Sequence, residues 1–494
     1  MDQSIRPLYS SGTVPKKTGF FGLSLKASMV AMGGAVLALI SAVFIGPKVG
    51  LVLAIITVAS IAPMAITVRG RSIYEMAEIL MQWLKRKHNG STVYRSGPHS
   101  RIPGGLRPIP GVLSEMTLHE WSSDGLGNPF GILHLKRFNE YTIVLECHPG
   151  GDEALTVDEM NIMTAEWGRY IAQLSLPGDI VAATVVVESV PSSGQRLFSE
   201  VESEIVPTAP DLAAEVMYQS AEIIPSGQTS TFARLSITFK AMNNETRQDW
   251  EAMAAELANR LPAFYRDLLG AGVQALPMSA ADIVSTAHRA YVPEAEYDLE
   301  TASIHHEDTG LTWETCGPTT AVTEWDKYRH AGGVSVVWEM TTAPESVFTD
   351  EVLRPLLAPH DGAQRKRIAL FYRPVKAGDA TRIVDKEYKD SLTALNTGKA
   401  VKSAAAEMRL QATEQARDEQ VRGAGLALYS MLLSITEPSI ETVPSASAIL
   451  ESLSTQSRLG IQRAYAFQDI AFAASLGLGV LLPDHVSTNA VGKH

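Results

Sequence analysis

Two uncharged apolar runs dominate the start of the chain. Residues 27–45 and 49–68 contain no Asp, Glu, Lys, Arg or His, and only the three residues Gly46-Pro47-Lys48 separate them. A helix needs about 20 apolar residues to cross a bilayer, and each run meets that length. So short a loop forces an antiparallel hairpin. The chain is therefore expected to enter a membrane, turn, and leave on its starting side, with residues 70–494 folding there. Arg6, Lys16, Lys17 and Lys26 precede the first run, and Arg69 and Arg71 follow the second, whereas the turn carries Lys48 alone. The positive-inside rule then places both termini in the cytoplasm, at the plasma membrane.

Further on, Ile73, Met76, Ala77, Leu80, Trp83 and Leu84 recur at helical spacing and end in Lys85-Arg86-Lys87. That pattern predicts a helix over 73–87 lying along the interface. Pro98, Pro103, Pro108 and Pro110 make 95–110 a linker.

The remaining chain reads as an ordered series. Strands are predicted at 141–147, 180–190, 231–239 and 273–276, with helices at 156–174, 211–222, 245–269 and 280–291. The same order recurs as strands at 334–339, 367–372, 426–435 and 459–462, with helices at 344–357, 379–420, 446–453 and 467–476. The ends of the two series also match in letters: Gly272-Val273-Gln274 precedes Asp282-Ile283-Val284, and Gly460-Ile461-Gln462 precedes Asp469-Ile470-Ala471. The expected fold class is α+β: a cytosolic tail (1–26), a transmembrane hairpin (27–68), an interfacial helix and linker (69–110), a first α+β unit (111–293), then a connecting segment and second α+β unit (294–494). The two units read as a duplication. Helix 379–420 would extend about 60 Å at 1.5 Å per residue, enough to bridge both units or reach a partner, unless Gly398 breaks it.

Charge divides the chain. Residues 1–110 hold 13 Lys and Arg against 3 Asp and Glu, and the remainder holds 29 against 51. The basic start suits an anionic leaflet. The acidic body argues against direct binding of nucleic acid, which depends on phosphate neutralisation. With only Cys147 and Cys316, the body has no disulfide framework, and in the cytosol the sequon at Asn244 would stay unglycosylated.

The search for chemistry returns no assigned catalytic, cofactor or metal residue. A phosphate-binding loop fails at Gly398-Lys399-Ala400, because Thr393 replaces the first glycine and Ala400 cannot ligate magnesium. His119-Glu120 lacks the second histidine of a zinc protease, since Ser123 stands there. His305-His306-Glu307-Asp308 is the densest set of candidate ligands, but adjacent residues do not share a face. Cys147-His148 are adjacent too, and a nucleophile pair needs three-dimensional geometry rather than adjacency.

The C-terminal third carries a resemblance. A long helix ends at Arg422-Gly423, a strand follows over 426–435, and then come Gly460-Ile461-Gln462, Gln468, Phe472-Ala473 and Leu476-Gly477-Leu478-Gly479. This order resembles the N-terminal, non-ATPase domain of the conjugation ATPases of type IV secretion, although Gly477 stands where proline is usual. The whole chain resembles an actinobacterial integral-membrane family in which a small membrane subunit is fused to that domain. The resemblance implies a non-enzymatic membrane component with no cofactor, partnered by a separate ATPase, other membrane subunits and plasma-membrane lipids, and oligomeric within a larger complex. The hairpin and body also look like a membrane component of actinobacterial type VII secretion.

Overall fold

The computed structural model describes residues 9–10 and 25–485, save 66, 69–70, 98–99, 101, 103–105, 152–154, 207, 224–228, 306, 345–346, 397–403, 422 and 424. Two compact units divide it, one within Thr13–Ser91 and the other comprising Thr92–Leu481.

The smaller unit is built on α1 (Leu25–Phe44) and α2 (Pro47–Ala65), which pack side by side. Glycines set their approach. A Cβ on Gly34 would fall 2.2 Å from Thr57 Cγ2, and one on Gly50 would fall 2.4 Å from the Ala42 Cβ. The first helix closes where the amides of Ile45 and Gly46 both donate to the Ser41 carbonyl. Side chains are described for 29–44 and 47–60 of this pair. Among the described residues, no helix is long and apolar enough to cross a membrane. The helical backbones run 20 and 19 residues, or about 30 and 28 Å. Helix α3 (Ile73–His88) starts at a reciprocal cap between Ser72 and Glu75 and ends in Lys85, Arg86, Lys87 and His88, which oppose the negative end of its dipole.

The larger unit is mixed α+β around one sheet of 13 strands. In chain order these are β1 (Val93–Arg95), β2 (Met116–Trp121), β3 (Phe130–Leu135), β4 (Glu140–Pro149), β5 (Ile180–Pro191), β6 (Thr229–Lys240), β7 (Val273–Pro277), β8 (Thr320–Thr323), β9 (Tyr328–His330), β10 (Gly333–Thr342), β11 (Lys366–Pro374), β12 (Ala427–Glu437) and β13 (Gly460–Arg463). The path across the sheet is β1-β8-β9-β10-β12-β11-β5-β6-β4-β3-β2, with β7 also on β4 and β13 also on β10, all antiparallel.

That order contains one arrangement twice. Strands β5-β6-β4-β7 and β11-β12-β10-β13 are both the split β-α-β order, in which the third strand inserts between the first two. In each half a two-strand meander, β2-β3 or β8-β9, pairs one stretch of the first strand, and the last strand pairs the next stretch. The switch of partner leaves Val144 between neighbours in the first half and Val336 and Val337 in the second, and both halves bridge the gap with a backbone hydrogen bond. The Val144 carbonyl accepts from the Met278 amide at 2.9 Å, and the Val337 carbonyl accepts from the Ala464 amide at 2.9 Å. At Val337 the Gln468 side chain adds a second clamp, accepting from its amide at 2.8 Å and donating to its carbonyl at 3.0 Å.

The halves are not separate layers. Strands β5 and β11 pair over seven positions, from Lys366 opposite Ser189 to Tyr372 opposite Ala183. Val185, packed on the first core, stands opposite Leu370, packed on the second, so both cores lie on one face. Helices α4 (Val157–Gln173), after β4, and α8 (Trp250–Gly270), after the short α7 (Asn244–Gln248), cover the first core; Leu257 and Leu261 are fully buried there. The second core is covered by α11 (Arg354–Leu357) and α14 (Val443–Gln456) through Leu356 and Leu450.

Each half also carries a helical pair between its second and third strands: α5 (Gln195–Glu204) with α6 (Asp211–Ile223), and α12 (Ala377–Asn396) with α13 (Ala404–Val421). The second pair corrects the expected continuous helix over 379–420. Gln420 donates to the Thr381 hydroxyl at 2.6 Å, and Arg417 lies 3.5 Å from Asp385 and over the Tyr388 ring. Those contacts fold α13 back along α12, so the 60 Å reach is absent. Gly398 falls in 397–403, outside the described residues.

The opposite face is closed by α9 (Ala280–Tyr291), α10 (Glu296–Ile304), α15 (Gln468–Ser475) and residues 476–481. Leu476, Leu478, Val480 and Leu481 are all buried. Gly477 and Gly479 take positive φ of 69° and 85° and sit against Val186 of β5 and Thr142 of β4. The segment that ends the second half thus straps onto the first.

Candidate functional site

Side chains alternate between faces along a strand, so the strap-side face is set by residues such as Thr142, Glu188, Arg234, Ser335 and Arg367. All are buried. Glu188 on β5 accepts from Arg367 of β11 at 2.5 Å and from Arg234 of β6 at 2.8 Å. Arg367 also lies over the Phe472 ring. Burial alone would raise the pKa of Glu188, but the two guanidiniums beside it outweigh that and hold its carboxyl well below the usual range. Burial pulls Arg234 down, against the attraction of Glu188.

A second set repeats the pattern. Glu296 of α10 faces Arg289 of α9 at 3.5 Å and Arg365, just before β11, at 3.2 Å. One arginine from each set, Arg234 and Arg289, lines the same cleft of about 210 Å³. The Nε atoms of both are buried and have no hydrogen-bond partner among the described residues. Arg289 stacks on Phe232, 5.1 Å from its centroid. Glu146, Glu307 and Asp308 stand at the mouth. Arginine does not give up its proton in proteins, so these groups bind and orient rather than transfer protons.

Two of the four residues noticed at 305–308 reach this cleft, Glu307 and Asp308. His305 caps the end of α10, and His306 lies outside the described residues. Among the described residues no group of three His, Cys, Asp or Glu is placed to hold a metal. Cys147 and His148 are split by strand alternation. Cys147 lies in the first core, where burial pushes its thiol up to about 12, and His148 is exposed. His119 stacks on Trp250 at 4.4 Å, and Glu120 accepts from the Ala280 amide at 3.0 Å, holding the start of α9. Gly398-Lys399-Ala400 lies outside the described residues.

The arginine sets were not singled out from the sequence. The available signal was a lone charge inside an apolar strand, as with Glu188 in 180–191 and Arg234 in 229–240.

The fold defines a mixed α+β body in which a split β-α-β order occurs twice, and a separate unit built on two apolar helices. Residues 16–75 are similar to a family described as a domain of unknown function (DUF8461). That match spans the two apolar helices and the first residues of α3. No curated protein matches the chain.

Proposed function

We propose that this chain is a membrane-anchored structural component of a conjugation or type IV-like secretion apparatus, non-enzymatic itself, that docks a separate ATPase. The observation that carries the reading is the α1–α2 hairpin: two glycine-packed apolar helices of 20 and 19 residues on a tight turn. Among the described residues no helix meets the length and apolarity of a span, so the support for crossing comes from the sequence, whose uncharged runs 27–45 and 49–68 each approach the about 20 apolar residues a span needs. In this reading the hairpin spans the plasma membrane with both termini cytoplasmic, and the basic end of α3 rests on anionic headgroups. The body is a duplication, supported by the repeated strand order, the shared partner switch at Val144 and Val337, and a helical pair at the same place in each half. The α12–α13 pair and its counterpart α5–α6 are the surfaces this reading offers to the ATPase and to other membrane subunits.

Detergent extraction of cell membranes followed by affinity purification tests this. The expected result is a protein that resists alkaline carbonate extraction and copurifies, after crosslinking in cells, with a protein bearing a phosphate-binding loop. Release by carbonate overturns the anchor. An anchored protein that never retains an ATPase overturns the docking role.

A further inference from the structure

The cleft between β6, α9 and α10 has a charge arrangement that the proposed scaffold role does not use. Its floor presents Arg234, only 5% exposed, and Arg289, each drawn from a set in which two guanidiniums share one carboxylate. In both, the Nε edge that the carboxylate does not engage has no hydrogen-bond partner among the described residues. A buried donor left without a partner is costly, and guanidinium edges are shaped for carboxylates and phosphates. Glu146 stands opposite Arg234 in the strand ladder but lies 4.0 Å from His148, half exposed, and makes no ion pair with the guanidinium.

The exposed lining is net negative: Glu146, Asp282, Glu307 and Asp308 outnumber Arg196, so a polyanion approaching from solvent meets more repulsion than attraction, which disfavours phosphate esters and nucleotides. A lone carboxylate would meet attraction at the floor and repulsion at the mouth. A molecule with one carboxylate and one cationic group satisfies both. About 210 Å³ corresponds to roughly seven waters at their liquid volume of about 30 Å³ each. Phe232 and Leu299 give the cleft an apolar wall.

We propose that this cleft binds a free α-amino acid, with its carboxylate on Arg234 and Arg289 and its ammonium turned toward Glu307 and Asp308. The site joins three elements of the first half to Glu296 and, through Arg365, to the edge of β11.

The test is calorimetric titration of the full-length protein in detergent with the common amino acids, using acetate, methylamine and inorganic phosphate as controls. At least one amino acid is expected to bind about tenfold or more tightly than acetate or methylamine, and phosphate is expected not to compete. Arg289→Met should weaken that binding by about tenfold or more, the size of one charge-assisted contact. Should Arg289→Met fail to fold, Glu307→Gln, at an exposed position, should weaken the amino acid while leaving acetate unchanged. Binding of acetate or phosphate as tight as that of any amino acid overturns the proposal, as does the absence of amino-acid binding. Amino-acid binding that both variants leave unchanged overturns it too.

Discussion

Glu188 and Arg367 stand directly opposite each other across the junction of β5 and β11, the one strand pair that the two halves share among the described residues, and they are joined at 2.5 Å. Arg234 reaches the same carboxylate from β6. With both glutamate oxygens engaged, each half places a guanidinium on a shared anion.

Removing that anion leaves two guanidiniums buried without it. Glu188→Gln is expected to lower the unfolding free energy of the full-length protein by about 3–5 kcal/mol, the usual cost of breaking a buried pair from one side. Replacing all three residues with apolar ones of similar size (Glu188→Leu, Arg234→Met, Arg367→Met) should recover much of it, because the desolvation penalty goes with the charges. Denaturant titration reads both. A triple variant as unstable as Glu188→Gln would mean that the network supplies more than charge balance.

The strap makes a second, purely steric prediction. A Cβ on Gly479 would fall 2.2 Å from Thr142 Oγ1, and the residue sits at φ 85°. Gly127, at φ 102°, has nothing within 4 Å of its would-be Cβ. Both alanine variants pay the left-handed cost of about 1–2 kcal/mol. Gly479→Ala should cost about 1–3 kcal/mol more, from overpacking. Equal melting shifts for the two would show that the strap is not seated on β4.

These two sites mark what the sequence made legible. Apolar alternation at 141–147 and 231–239 located β4 and β6, and the paired endings at Gly272 and Gly460 fall at the start of β7 and β13, the last strand of each split β-α-β order. Strands β1, β2, β3, β8 and β9 escaped: Met116–Trp121 mixes polar and apolar residues along a sheet edge, whereas Phe130–Leu135 is buried at every position and so shows no alternation. The joining of both halves into one sheet escaped as well. It depends on β5 meeting β11 far away in sequence, and no local period records a partner. For the same reason Glu188, Arg234 and Arg367 read as isolated charges until pairing placed them together.

His330 gives the body a pH dependence with a definite sign. It is buried, and its Nδ1 lies 2.8 Å from the Tyr291 carbonyl, an acceptor, so the neutral ring donates there and Nε2 accepts from Ser335 at 2.8 Å. Burial, reinforced by Arg367 and Arg365 and only partly offset by the backbone bonds to Tyr291 and Ala331, lowers its pKa to about 4. The unfolded chain binds this proton near the ordinary value of 6.5 while the folded one does not, so stability is full above that pH and falls as the pH drops toward 4. The loss approaches about 3 kcal/mol. His330→Asn should flatten that part of the stability profile between pH 6.5 and 4, measured by denaturant midpoint.

The α12–α13 pair allows the most direct check on the architecture. Thr381 and Gln420 touch through their side chains in the folded-back arrangement. On one unbroken helix, 39 residues apart, they would be about 58 Å from each other. Thr381→Cys with Gln420→Cys should therefore form a disulfide under mild oxidation in the full-length protein. The native thiols will not interfere, since Cys147 and Cys316 are buried and both are pushed up to about 12, which suppresses the thiolate that exchange requires. A shift in gel mobility reversed by reductant is the readout. Within one chain the bond needs the turn; between chains it would need two extended helices lying antiparallel. The two are separated by size, because only the second yields a covalent dimer. A covalent dimer without the intramolecular product would restore the extended helix and, with it, a bridge between the halves that the fold does not otherwise need.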